Sequence, residues 1–466
     1  MPSVVSRLQV LPRALPCVAR LASCMLRRLP FAPRSTDPDQ PAQSTPPRLK
    51  SFLEKTLTAR ETPISPHSAC ARLPRRSAVR GVAITESVVD TLAGLVAINS
   101  VNASLPGGPG EAELAHHVAD LARAAGADVE LYDVEPGRPN LLAWIRRGNR
   151  PTLMFECHLD TVGLDPMPDA LNPRIANGRL YGRGSADPKG CLAAMLHVLH
   201  AAASDPDFPV DLCLAGAVGE EIVMIGSRVM AERRPPVDAA VVGEPTELRI
   251  ITAQKGAVRW RVRTHGVAAH SAMPEQGHNA IQDMARALPA LARGIEPHLA
   301  ARPHPVLGNA TWNVGTIRGG AGVNVVPDLC EIEIDRRLVP GDTSDEVLQH
   351  VDAALDDLRA SDPQVRIDRD PPFVDIPPLE TPHDARVVRA AQQAVAAAGI
   401  SPDPLGVAYA TDAAMLSGVG GIPSVVLGPG DIAQAHTNDE WIEIAQLEQA
   451  VGVYLGVCQA FAEVGD

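Results

Sequence analysis

Four short apolar runs, in TLMFECHLDTV, VDLCLAGAV, DAAVVGEPT and SVVLGPG, are separated by stretches of helical periodicity such as CLAAMLHVLHAAA. Continuous apolar runs of this length are how strands read when both faces of their sheet are covered, which calls for helices on either side. The rhythm begins near Val82. There SVVDTLAGLVAI and EAELAHHVADLARAAGA repeat at helical spacing, while DVELYDV and NLLAWIRRG read as strands. The fold class that follows is α/β, a mostly central sheet flanked by helices.

Between about Lys255 and Asp370 the texture changes. AVRWRVRTHGV, TWNVGTIRGG, CEIEIDRRLV and VRIDRD read as strands, and HNAIQDMARALPALARGI and TSDEVLQHVDAALDDLRA as helices, in the order βαββαβ. That order suits a ferredoxin-like sheet with both helices on one face, inserted as a separate unit. Residues 82–254 and 371–466 then make one discontinuous domain and 255–370 another, in keeping with a chain of 466 residues.

The first 81 residues hold 14 Lys or Arg against 4 Asp or Glu, and are Pro-rich without sustained periodicity. They read as a disordered or mis-assigned N-terminal extension, with translation starting near Val82, in preference to a transit peptide or an interrupted signal sequence. Of 42 basic and 55 acidic residues in all, 28 and 51 lie beyond that segment, so the folded part is strongly acidic. This argues against a nucleic-acid partner, which needs a clustered basic face. No apolar run approaches the roughly 18 residues of a membrane span. Eight dispersed cysteines without CxxC pairs favour a reducing compartment, the cytoplasm, over a disulfide framework.

Chemistry concentrates where the apolar runs end. In ECHLDTVG, His158 and Asp160 stand two apart and face the same way on a strand, so the carboxylate can hold the imidazole in its metal-binding tautomer. Alone, such a pair is more often a satisfied polar pair than a metal site. Asp187, set among Gly182, Gly184 and Gly190, can offer both oxygens to two cations or serve as an ordinary helix N-cap. Adjacent Glu220 and Glu221 follow another apolar run, where one can bind metal while its neighbour carries a proton. An exposed acidic pair is the alternative. Glu244 ends another run, and His436 stands just beyond the last one. Five oxygen or imidazole donors, His158, Asp187, Glu221, Glu244 and His436, each after a predicted strand or in a Gly-rich turn, are hard to obtain by chance.

The order HLD, GRGSADPKG, GEE, GEP and AHTNDEW resembles the M20 metallopeptidase family, and most of all its acetylornithine deacetylase and succinyl-diaminopimelate desuccinylase members. The resemblance runs from about Val82 to the end. It implies that His158 and Glu244 complete one metal site and Glu221 and His436 the other, with Asp187 bridging both. Asp160 would then orient His158, and Glu220 would act as general base and acid. The βαββαβ unit would be a lid and dimerisation domain, whose His270, in GVAAHSAMPEQGHNAI, reaches the substrate of a second copy. Arg337 in EIDRRLVPGDT would anchor a substrate carboxylate, with Asn324 in GVNVVP as companion. Without the resemblance these two read as a surface strand residue and a turn former.

The implied cofactors are two divalent metal ions. Zinc suits nitrogen and oxygen donors, although a donor list does not separate it from cobalt or manganese. The implied partners are a small N-acyl amino acid or dipeptide and a second copy of the chain. Deacylation of an N-acyl amino acid leads, ahead of a dipeptidase or carboxypeptidase and a non-catalytic metal-binding relative, which would be free to lose Glu220. Two places depart from the family pattern: Cys157 stands where Gly is common, and Gly219 where an acid often precedes the Glu pair.

Overall fold

The structure, a computed structural model, describes residues 86–465, so the expectation for residues 1–81 lies outside the described residues. The four apolar runs form Asp211–Ala217, Thr152–His158, Ala239–Val242 and Ser424–Val426, which lie side by side in that order and run parallel. All their residues except Thr152 are buried. Antiparallel strands Arg138–Ile145 and Asp128–Glu135 extend one edge, and Ile251–Gln254, Leu379–Glu380 and Leu405–Val407 the other, giving nine strands.

Helices cover both faces because the strands are apolar on both. Leu153, Phe155 and Cys157 point into a core built with Lys189–Ser204, Ile444–Glu463, Arg386–Ala397, Val88–Val96 and Ala112–Ala125. Met154, Cys213 and Ala215 point the other way, against Ile225–Glu232 and Ala413–Gly418. Leu192, Met195, Leu196 and Leu199 of the helix Lys189–Ser204 have no exposed surface. Burial of each such side chain is worth about 1.5–3 kcal/mol. No helix among the described residues is long and apolar enough to cross a membrane.

A second, antiparallel sheet follows the βαββαβ order through Gly256–His265, Ala280–Leu299, Thr311–Gly319, Leu329–Leu338, Ser344–Ser361 and Ile367–Arg369, and adds Val374–Ile376. Val258, Trp260, Val262, Ile332 and Ile334 alternate onto one face, where both helices cover them in a core of their own. On the opposite face Arg259, Arg261 and Arg263 pair with Asp335, Glu333 and Glu331. The chain passes between the two sheets twice, at Lys255 and at Pro377–Pro378. Gly256 lets these passages lie against each other, since a Cβ there would stand 2.4 Å from the Ile376 carbonyl oxygen.

Candidate metal centre

All four parallel strands deliver donors at their carboxyl ends, the edge at which open α/β sheets bind ligands. Thr152–His158 ends on His158, Asp211–Ala217 runs into Glu220 and Glu221, Ala239–Val242 into Glu244, and Ser424–Val426 into the loop bearing His436. Asp187 arrives from the turn before the helix Lys189–Ser204. Its side chain does not cap that helix, which disposes of the N-cap alternative.

Two groups of donors form. One ligand atom each from His158, Asp187 and Glu244 lie within 4.8 Å of one another, and so do those from Asp187, Glu221 and His436. Asp187 belongs to both because its oxygens diverge: Oδ1 stands 3.2 Å from His158 Nε2 and Oδ2 3.4 Å from His436 Nε2. His436 Nε2 is 2.9 Å from Glu221 Oε2. Glu220 belongs to neither group, its Oε2 lying 4.0 Å from His158 Nε2. Side-chain exposures of 11% for Glu220 and 5% for Glu221 exclude an ordinary surface acidic pair. His436 is 56% exposed in its side chain and left-handed at φ 62°, an unusual backbone held where the cluster meets solvent.

The electrostatics ask for cations. Asp187, Glu220, Glu221 and Glu244 crowd two imidazoles, with no Lys or Arg paired to any of them among the described residues. Burial pushes the carboxyls of Glu220 and Glu244 well above the usual range. It also raises Glu221, against the pull of His436. Burial would lower the His158 imidazole, but its bonds to Asp160 and Asp187 and the charges of Glu244 and Glu220 outweigh this and hold it well above its ordinary value. Glu221 Oε1 is buried with no hydrogen-bond partner. A buried oxygen left bare in this way fits metal ligation, because unpaired burial is otherwise costly. Nitrogen and carboxylate donors suit divalent ions such as zinc.

Two buried carboxylates hold the turns that carry these donors. Asp160 Oδ1 accepts from Gly219 N and Glu220 N at 3.0 Å each, and Oδ2 from Glu221 N at 3.1 Å and Asn102 Nδ2 at 2.7 Å. Burial would raise the Asp160 carboxyl, but its bond to His158 and the charge of that imidazole, with the bonds from Asn102 and Glu221 N, outweigh this and hold it below its ordinary value. The orientation of His158 is shared: its Nδ1 lies 3.0 Å from the Asp160 main-chain oxygen and 3.5 Å from Oδ1. Gly219 is left-handed at φ 80°, and a Cβ there would stand 3.1 Å from Arg138 Nη2. An acid would be strained at that place. Cys157 is fully buried and points at the Pro188 carbonyl, away from the donors. The other carboxylate is Glu440, which holds the turn of Asp187 and was not singled out in the sequence. The NDEW segment was visible there, but its partners are remote in sequence.

Three expected substrate residues belong to neither donor group: Arg337 lies on a strand of the second sheet, and His270 and Asn324 in loops between its elements. His270 is exposed, and its Nδ1 accepts from Ala272 N within its own turn. Asn324 is exposed beside it, its carbonyl accepting from Ser271 N at 3.1 Å. Arg337 Nε donates to Asp335 Oδ1 at 2.8 Å on the charged face, near the passage at Lys255. Its neighbour Arg336 is buried, donating to the Thr311 and Arg337 carbonyls and pairing with Asp342.

Comparison with known proteins gives the family and the fold. The model of peptidase family M20/M25/M40 matches residues 154–460. Acetylornithine deacetylase of Vibrio atlanticus is 31% identical over 377 residues, covering 79% of this chain and 96% of its own. That of Aliivibrio fischeri is 32% identical over 353 residues, covering 74% and 90%. Among solved structures, a tripeptidase from Staphylococcus aureus superposes with a TM-score of 0.66 at 23% identity, over 81% of this chain and 98% of that one. An M20 family metallo-carboxypeptidase from Sulfolobus solfataricus does so with 0.66 at 18%, over 82% and 100%. With two donor groups at the carboxyl edge of its parallel strands, the chain belongs to peptidase family M20/M25/M40 and is a metal-dependent hydrolase of amide bonds.

Proposed function

We propose that this chain removes the acyl group from the nitrogen of a small N-acyl amino acid, using two divalent ions, zinc before cobalt or manganese. Two donor groups that share Asp187, with Glu220 beside them and in neither, carry this reading. His158 and Glu244 would hold one ion, Glu221 and His436 the other, and Asp187 both. When bound, the ions supply Lewis acidity toward the amide carbonyl and acidify water. Glu220 takes a proton from the attacking water and returns it to the leaving amine, a role open to it because it is no ligand. Burial raises its carboxyl, which favours holding a proton between those two transfers. The acyl-amino-acid substrate class is drawn from the acetylornithine deacetylases that the chain resembles over most of their length.

The second sheet would act as lid and dimer surface. Ile317, Val323, Val325 and Leu329 expose apolar side chains on this unit, Val323 and Val325 on either side of Asn324 and Val325 bridged to His270. A second copy seated there would bring His270 to the neighbouring centre, while Arg337 would hold the substrate carboxylate. Five free cysteines among the described residues support a reducing, cytoplasmic setting.

Hydrolysis of a panel of N-acetyl amino acids, N-succinyl amino acids and dipeptides, with and without chelator, tests the reading. Chelator-sensitive release of one acyl class is expected. Cleavage of dipeptides alone would replace it with a peptidase, and metal binding without any turnover would favour a binding protein.

A further inference from the structure

We propose that Glu440 is a positioning residue that sets Asp187 against His436 and so assembles the second donor group. The inference rests on the two-ion reading above. Glu440 is fully buried, four residues beyond His436 and just before the strand Trp441–Glu443. Its Oε2 accepts from Arg183 Nη1 at 2.8 Å and Gly184 N at 2.9 Å. Its Oε1 accepts from Ala186 N at 3.0 Å and Asp187 N at 3.1 Å. Its carbonyl accepts from Gly182 N at 3.1 Å. One residue thus grips the turn 182–187 from end to end, including the main chain from which the shared donor springs.

The same short segment carries His436. Asp187 and His436, remote in sequence, are therefore tied to one anchor, and the 3.4 Å between Asp187 Oδ2 and His436 Nε2 follows from it. Arg183 leaves the buried charge paired, so the grip does not require a proton. A carboxylate is the only side-chain group that meets this demand. Each oxygen receives two N–H donors, so an amide of the same size would turn an NH2 toward two of them. Glu440→Gln should open the turn. Glu440→Asp keeps four acceptor positions but is shorter by a methylene, so it should loosen the grip less.

The test is titration of the metal-free protein with Zn²⁺ by calorimetry and with Co²⁺ by visible absorption. Wild type is expected to bind two equivalents. In Glu440→Gln at least one equivalent should weaken by roughly 10–100-fold, the range for loss of a residue that supports a ligand. The cobalt spectrum of that equivalent should change while circular dichroism shows a folded chain. Glu440→Asp should lose less, and it decides the matter if the Gln variant does not fold. Two equivalents of unchanged affinity and spectrum in the folded variant overturn the role of Glu440 and leave the two-ion reading standing. A variant that is only less stable, with metal binding intact, overturns it equally. Wild type that binds no metal overturns the two-ion reading itself.

Discussion

Glu220 and Glu221 are neighbours in sequence with separate positions: Glu221 enters a donor group and Glu220 stands outside both. Glu220→Gln should therefore keep its metal complement and lose about 10²–10⁴-fold in kcat, the usual contribution of a general acid–base. Metal analysis beside steady-state rates checks this, and unchanged turnover contradicts the assignment. His436→Ala should instead lose one metal equivalent. A third residue gives a pH signature. Burial pushes the Asp412 carboxyl up to about 6, against the pull of its bond with Ser227. A carboxyl raised in the folded state stabilises it while protonated, fully below its unfolded value of about 4. That contribution is lost as pH rises through about 6. Wild type should thus lose stability relative to Asp412→Asn as pH rises across this window, as urea midpoints would read; parallel profiles would contradict it. The five donors were legible in the sequence because each follows an apolar run or sits in a Gly-rich turn. Glu440 and Asn102 were not, because their partners are backbone and side-chain groups far along the chain. Nor was the burial of Arg336, which depends on carbonyls of the paired strand and on Asp342.

Among the elements, the helix Lys189–Ser204 follows directly on the turn of Asp187 and packs Leu192, Leu196 and Leu199 into the larger core. Leu196→Ala should cost about 2–5 kcal/mol, with the value set by how far the core closes around the cavity. Urea unfolding measures it. At the passage between the sheets, Gly256→Ala places a methyl against the Ile376 carbonyl and the Pro377–Pro378 backbone. Overpacking of this kind costs about 1–3 kcal/mol, and an unchanged unfolding midpoint would contradict the tight passage. The parallel strands were legible as continuous apolar runs, and the second sheet as alternating ones, since covering both faces or one writes different periods. The order Asp211–Ala217, Thr152–His158, Ala239–Val242, Ser424–Val426 was not, because crossover connections leave no local mark on which strands become neighbours.

For the whole molecule, the proposed pairing of two chains through the second sheet makes a joint prediction about state and activity. Val323→Asp should give a monomer in light scattering and lower turnover, because His270 would no longer reach a neighbouring centre. A fully active monomer would contradict the contribution of His270 across the pair. In the proposed two-ion reading one carboxylate, Asp187, serves both ions. Metal equivalents per chain, measured on wild type and on folded Asp187→Ala, test it most directly. Two equivalents in wild type and weakening of both in the variant are predicted. A wild type that takes up none, or a variant that keeps two with undiminished affinity, would rule out a shared Asp187.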